Sequence, residues 1–123
     1  MYDNLVKYSE WKDIGKCAQG DLYIKRVDEI PANAKPMEKK NGKYVVAHSE
    51  SGHDHVLSAV GGCEVYETED PMTLYLRVAD ATEVVLEHLR SFDTHRPIQF
   101  LKGIFRFRRA RERTPEGWRR VED

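Results

Sequence analysis

Apolar and polar residues alternate over short stretches of the chain, which predicts β-strands. The clearest stretch is 104–109, where Phe105 and Phe107 share one face and Arg106 and Arg108 share the other. Alternation or short apolar runs predict further strands at 21–27, 44–48, 53–58, 63–68, 73–78 and 83–90. Short strands separated by turn residues indicate a mainly β fold: a single-domain antiparallel β-sandwich or small barrel with at most one or two short helices.

The sequence predicts one β-rich domain over residues 1–123, because this length suits a single hydrophobic core and no repeat or long linker divides it. Residues 1–18 are interpreted as a peripheral N-terminal segment. Residues 114–123 are interpreted as a short helical turn or a tail, since Thr114 followed by Pro115 is typical of a helix start.

Two local signals concern strand pairing. Asn41-Gly42 predicts a tight turn between hairpin arms at 37–40 and 43–48. The stretch Glu83–Arg90 fits either a short helix or a strand, and the adjacent β-branched Val84 and Val85 favour the strand.

Composition argues against membrane and secreted classes. No run approaches the roughly 18 apolar residues of a membrane span, and the first residues carry charges that a secretory signal would lack. Cys17 and Cys63 are too far apart in sequence to form a local metal or redox motif, and they are expected to be reduced thiols. We therefore expect a cytoplasmic protein without a membrane partner.

The net charge of −1 averages two unlike regions. Residues 1–101 hold 12 basic and 17 acidic residues, whereas residues 102–123 hold 8 basic and 4 acidic residues. All five histidines lie between His48 and His95, within the acidic region. Candidate chemistry is therefore sought among the histidines, and candidate anion binding in the basic region.

The segment from His48 to His55 holds three histidines. If residues 49–52 form a hairpin turn, His48 and His53 lie opposite each other with Cβ atoms about 5 Å apart. His55 then returns to the same face by the period of two. Three imidazoles suit a divalent transition metal such as zinc or iron, and they leave a coordination position open for water or substrate.

Other residues are candidates for supporting roles. Glu50 is a candidate general base, while His88 and His95 flank a second loop and are candidates for a further ligand, a general base or a proton relay. Arg106, Arg108 and Arg111 are candidate anion-binding residues. The alternative for each is an ordinary solvated side chain.

Several motifs together resemble a family of small uncharacterised phage and bacterial proteins. They are a Gln19-Gly20-Asp21 strand start, the segment Val45–His55, His95-Arg96-Pro97-Ile98, and a C-terminal Arg-Glu-x-x-Pro segment from Arg111 to Pro115 followed by Arg120-Val121. The resemblance implies a phage or mobile-element setting, hence the host cytoplasm for a phage-encoded protein. It implies no particular activity.

Three functions remain open. The preferred one is a metal-binding domain, with a metal-dependent hydrolase as its enzymatic form. The second is a metal-free histidine acid–base pair acting on a phosphodiester or nucleotide, with the arginines holding phosphate. The third is a non-enzymatic module that binds nucleic acid or protein through the basic C-terminal strand, where Phe105, Phe107 and Trp118 are interleaved with arginines. Enzymatic activity, a small-molecule or nucleotide ligand and homo-oligomerisation are left open.

Overall fold

A computed structural model describes residues 4–39, 42–47, 55–60, 62–88, 96–109, 111–114 and 117–120. One short helix, α1 (Tyr8–Trp11), precedes twelve strands within these residues. The strands are β1 (Lys16–Gln19), β2 (Leu22–Val27), β3 (Lys35–Pro36), β4 (Tyr44–Ala47), β5 (His55–Val60), β6 (Cys63–Glu67), β7 (Thr73–Val78), β8 (Glu83–His88), β9 (Ile98–Phe100), β10 (Gly103–Arg109), β11 (Arg111–Thr114) and β12 (Gly117–Arg120).

The strands form two principal antiparallel sheets. The six-stranded sheet has the order β1-β2-β10-β7-β6-β3, and the four-stranded sheet has the order β4-β5-β8-β9. Strands β11 and β12 pair only with each other among the described residues. The predicted mainly β, antiparallel sandwich with at most two short helices is confirmed.

The hydrophobic core lies between the two sheets. Alternation along β10 directs Phe105 and Phe107 inward, where both are at most 1% exposed. Phe100 of the other sheet meets both rings, with centroids 5.0 and 5.5 Å apart respectively. Trp11 adds an edge-to-face contact with Phe100 at 5.4 Å. This aromatic cluster joins the two layers, because its members come from both sheets and from α1.

Helix α1 contributes two residues to the core, so the interpretation of residues 1–18 as a peripheral segment is wrong for this described part. Tyr8 and Trp11 are 7% and 3% exposed. Val6 forms a parallel bridge with Ile98, and its backbone thereby pairs with the edge of the four-stranded sheet. The side chain of Gln99 accepts a hydrogen bond from the Tyr8 amide at 3.0 Å. A helix of four residues is too short to produce a helical periodicity of apolar residues in the sequence.

Three other local predictions can be compared with the structure. Residues 37–39 lie in no strand, so the described part of the hairpin arm predicted at 37–40 is not a strand, while Lys40 and Asn41 of the predicted turn lie outside the described residues. The predicted C-terminal helical turn is also wrong where the chain is described, because Gly117–Arg120 is a strand. The strand preferred for Glu83–Arg90 is confirmed as β8.

A β-bulge alters the hairpin that leads to the histidine segment. Tyr44 pairs with Leu57 and Val45 with Val56, which is the predicted register, but the register then shifts so that Ala47 faces His55. The predicted register would have placed Val46 there. Strand β4 ends at Ala47 and β5 begins at His55, so the predicted convergence of His48 and His53 lies outside the described residues.

Both cysteines are free thiols, as predicted. Burial raises the pKa of the Cys17 thiol to about 12 and also raises the pKa of Cys63. Thiols of this kind are unreactive, because the thiolate is the nucleophilic form. Within the described residues, the helical segment is too short and too polar to serve as a membrane span.

The aromatic cluster yields the first prediction. Replacing Trp11→Ala should lower the free energy of unfolding by about 3–5 kcal/mol, because it removes a buried indole and leaves a cavity between the sheets. The matched control is Ile14→Ala, three residues along and 69% exposed, which should change it by less than about 0.5 kcal/mol. Urea unfolding measures both, and equal effects would show that the segment is peripheral after all.

Candidate functional site

Of the five histidines, only His55 has a described side chain. It is the first residue of β5 and is fully buried. His48, Glu50, His53 and His95 lie outside the described residues. The backbone of His88 is described, and the register places it directly opposite His55 at the end of β8. Of the predicted cluster of His48, His53 and His55, the structure therefore describes His55, which lies at one end of the four-stranded sheet.

The imidazole of His55 is held by Gln19 of the opposite sheet. Its Nδ1 lies 2.8 Å from Oε1 of Gln19. The orientation of the Gln19 amide is fixed, because Nε2 donates hydrogen bonds to the backbone oxygens of Leu86 and Arg96 at 3.0 and 2.7 Å. Oε1 can only accept, so Nδ1 of His55 carries the proton and donates it. In the neutral ring, Nε2 then carries the lone pair.

The other ring nitrogen faces Asp21. Asp21 follows Gly20 in the two-residue turn between β1 and β2, where Gly20 has φ +58°. A positive φ at the first position is typical of a tight hairpin turn and favours glycine. The turn brings Oδ1 of Asp21 to 3.6 Å from Nε2 of His55, and both side chains are at most 1% exposed. The sequence Gln-Gly-Asp thus supplies a hydrogen-bond partner for Nδ1 of His55 and a carboxylate close to its Nε2.

Arg109 completes the described part of the buried polar cluster, which consists of Gln19, Asp21, His55 and Arg109. Its guanidinium donates to Oδ2 of Asp21 from one terminal nitrogen at 2.9 Å and from Nε at 3.3 Å. Arg109 is 9% exposed and lies at the end of β10, on the same face as Phe105 and Phe107. Its backbone amide donates to the oxygen of Met72 at 2.9 Å.

The separation of the His55 and Asp21 atoms limits their chemistry. A distance of 3.6 Å between Nε2 and Oδ1 is too long for a hydrogen bond. Two ligands of one tetrahedral metal ion, each about 2.0–2.1 Å from it, lie roughly 3.4 Å apart. No group of three or more histidine, cysteine, aspartate or glutamate residues suited to a metal occurs within the described part of the chain.

The predicted anion-binding arginines are separate from the polar cluster. Arg106 and Arg108 project from the opposite face of β10, away from the core. Arg111 begins β11, opposite Arg120, and its side chain is not among those described. The structure therefore does not bring His55 together with Arg106 and Arg108, as action on one phosphodiester would require.

A groove adjoins the polar cluster at Arg109. It has a volume of about 940 Å³ and runs between β4 and the loop that joins β6 to β7. Its walls include apolar residues and four carboxylates, those of Glu38, Glu67, Glu69 and Asp70. Arg109 contributes positive charge to this lining. The groove thus provides ligand space whose charge is unsuited to a large anion.

Sequence reasoning assigned no role to Gln19, Asp21 or Arg109. For Arg109 a signal existed, since the alternation that points Phe105 and Phe107 inward also points Arg109 inward, and a buried arginine needs a partner. Gln19 and Asp21 stand out in the sequence only as part of the Gln-Gly-Asp motif. Their partner could not be found locally, because His55 is 36 positions from Gln19 and reaches it only through sheet packing.

The fold and the site define a small antiparallel β-sandwich with a buried histidine, aspartate and arginine cluster between its sheets. The chain belongs to the family described as Domain of unknown function (DUF8820), whose model matches residues 18–110. The match contains all four residues of the polar cluster. No curated protein and no solved structure matches the chain.

The ion pair of the cluster yields the second prediction. Replacing Arg109→Met should lower the free energy of unfolding by about 3–5 kcal/mol, because it leaves the buried carboxylate of Asp21 without its guanidinium. Arg108→Met, one residue earlier and exposed, is the matched control and should change it by less than about 0.5 kcal/mol. Equal unfolding midpoints in urea for the two variants would contradict the structural role of the pair.

Proposed function

We propose that the protein is a metal-binding domain whose centre includes Nε2 of His55 and Oδ1 of Asp21. His48 and His53, from the segment that joins β4 to β5, are the further ligands of this proposal. Imidazole and carboxylate together suit a divalent transition metal, with zinc and iron as the candidates.

The observation that carries the proposal is the hydrogen bond between Nδ1 of His55 and Oε1 of Gln19, from which the tautomer of His55 follows. Metal-bound histidines usually donate their second ring N–H to an oxygen, which fixes the ring and leaves the other nitrogen for the metal. Gln19 provides this support, since its Oε1 accepts from Nδ1 at 2.8 Å and the amide is anchored by two backbone oxygens. The anchored amide also prevents the ring from rotating, which keeps Nε2 towards Asp21.

The carboxylate of Asp21 supports the same conclusion. Arg109 donates to Oδ2, which orients the carboxylate, while Oδ1 faces the imidazole. The 3.6 Å between Oδ1 and Nε2 exceeds a hydrogen bond and is close to the separation of two ligands around one ion. The end of β4 also lies beside this position, because Ala47 pairs with His55 and His48 follows it directly.

A metal-dependent hydrolase is the enzymatic form of this proposal. A metal with an open position would supply activated water, and the groove beside Arg109 offers space for a substrate. Glu50, His88 and His95 are the proposed general-base or relay residues. The competing metal-free reaction is disfavoured for His55, whose ring is fully buried and hydrogen-bonded to Gln19.

Metal content of the natural chain tests the proposal first. Protein purified without a histidine tag should contain close to one equivalent of zinc or iron by elemental analysis. Chelation should lower its unfolding temperature and added metal should restore it, since a ligand at 100 times its Kd stabilises the folded state by about 2.7 kcal/mol. Absence of both bound metal and any thermal shift with zinc, iron or cobalt would overturn the proposal.

Two variants locate the metal. Asp21→Asn should abolish stoichiometric binding, and Gln19→Met should weaken affinity about 10- to 100-fold, because it removes the oxygen that orients His55 but none of the four proposed ligands. The matched control is Asp80→Asn, an exposed aspartate that pairs with Lys102 and should retain full metal content. Cobalt absorption spectra report the ligand set directly. Unchanged spectra and affinity in folded Asp21→Asn and Gln19→Met would place any metal elsewhere.

A further inference from the structure

The outer face of the six-stranded sheet is rich in cations and tyrosines. We define the outer face by the charged and aromatic side chains that the register directs away from the core: Lys16, Tyr23, Lys25, Glu64, Tyr66, Tyr75, Arg77, Arg106 and Arg108. Five of these are positive and one is negative, although the whole chain has a net charge of −1. The face is therefore a local concentration of positive charge.

Three of the cations stand in one cross-strand row. Lys16 of β1 pairs with Lys25 of β2, and Lys25 pairs with Arg106 of β10. Like charges placed directly opposite each other on neighbouring strands destabilise a sheet. Arg108, two residues beyond Arg106 on the same face of β10, is a fourth cation beside this row. A row of this kind is relieved when a polyanion binds across it.

The remaining charges of the outer face are already balanced. Glu64 accepts hydrogen bonds from Arg77, which lowers the pKa of the Glu64 carboxyl and keeps it ionised. Arg77 also donates to the hydroxyl of Tyr66 and lies 5.6 Å from the centre of that ring. Among the described residues, no carboxylate forms an ion pair with Lys16, Lys25, Arg106 or Arg108.

The tyrosines lie among these cations. Tyr23 is 54% exposed and pairs with Arg108, while Tyr75 pairs with Arg106. A depression of about 690 Å³ lies at this position, and its lining includes Lys16, Tyr23, Lys25, Arg106 and Arg108. Tyr23 is thus an exposed aromatic ring among basic side chains, and Tyr75 beside it is half-buried. An exposed ring in this setting suits a base that stacks on it, while the cations pair with phosphates.

We propose that the outer face binds single-stranded nucleic acid. A six-stranded sheet face is wider than the major groove of about 12 Å in an undeformed duplex, whereas unstacked bases can lie on an exposed aromatic ring. A protein partner fits less well, because lysine is depleted at protein interfaces. This surface differs from the proposed metal centre, since Arg106 and Arg108 face outward on β10, while Arg109, which also borders the depression, directs its guanidinium to Asp21.

Fluorescence anisotropy with the full chain tests the proposal. The probes are fluorescein-labelled oligothymidine and oligouridine of about 16 nucleotides, a length that covers the site of typical single-strand-binding modules. Binding at low salt should weaken with added salt at a log–log slope of about −3, as four phosphate contacts would give. A duplex of equal length should bind at least about tenfold more weakly. No binding of either oligonucleotide at low salt would overturn the proposal.

Variants on the outer face distinguish binding at this surface from non-specific electrostatic attraction between the protein and the oligonucleotide. Lys25→Glu and Arg106→Glu should each weaken binding at least about tenfold, because each reverses a charge within the row. Tyr23→Ala should weaken it about fivefold or more through lost stacking. The matched control is Lys43→Glu, an exposed lysine beside β4 of the other sheet, which should bind as the natural chain does.

The pattern of results decides the outcome. Circular dichroism confirms folding of each variant, and a chelated sample should bind equally, which separates this surface from the metal centre. Equal losses in Lys25→Glu and Lys43→Glu would show that only overall charge matters. A Tyr23→Ala variant that binds normally, together with equal duplex affinity, would contradict recognition of single strands.

Discussion

The need to satisfy buried polar groups between two apolar sheet faces governs this structure. Gln19 is fully buried in that layer, and it uses its amide group to donate to Leu86 and Arg96 and to accept from His55. All these partners belong to the opposite sheet or its connections. An apolar side chain at this position would pack as well but would specify no unique register between the sheets. The hydrogen bonds of Gln19 therefore align the two layers as well as orient the imidazole.

The same requirement explains the irregular backbone around His55. The positive φ of Gly20 allows a turn tight enough for Asp21 to reach back toward the core, where it meets Arg109. The bulge in β4 shifts the partner of His55 from Val46 to Ala47. Bulges and tight turns are common where a sheet must aim a side chain at a site. Both irregularities here converge on one histidine.

Sequence patterns predicted the strands well because alternation is a local property of a half-buried sheet. They gave no strand partners beyond local hairpins, since no local signal indicates that β3 pairs with β6. The same difference between local and non-local information holds for the candidate site. A spaced histidine motif marked His55, whereas Gln19 and Arg109 meet it only because β1, β2 and β10 are neighbours in the sheet. Such neighbours are fixed by packing across the whole chain.

Strand β10 shows how one alternating sequence separates two kinds of chemistry. Arg109 lies inward, where the low polarity of the core strengthens its ion pair with Asp21. A buried guanidinium without such a partner would destabilise the fold. Arg106 and Arg108 lie outward, where water screens them and leaves them available to ligands. Adjacent residues of identical type thus differ in role because a single backbone step moves a side chain from core to solvent. The arginines of β10 consequently do not form a single surface, because Arg109 belongs to the core and only Arg106 and Arg108 face solvent on this strand.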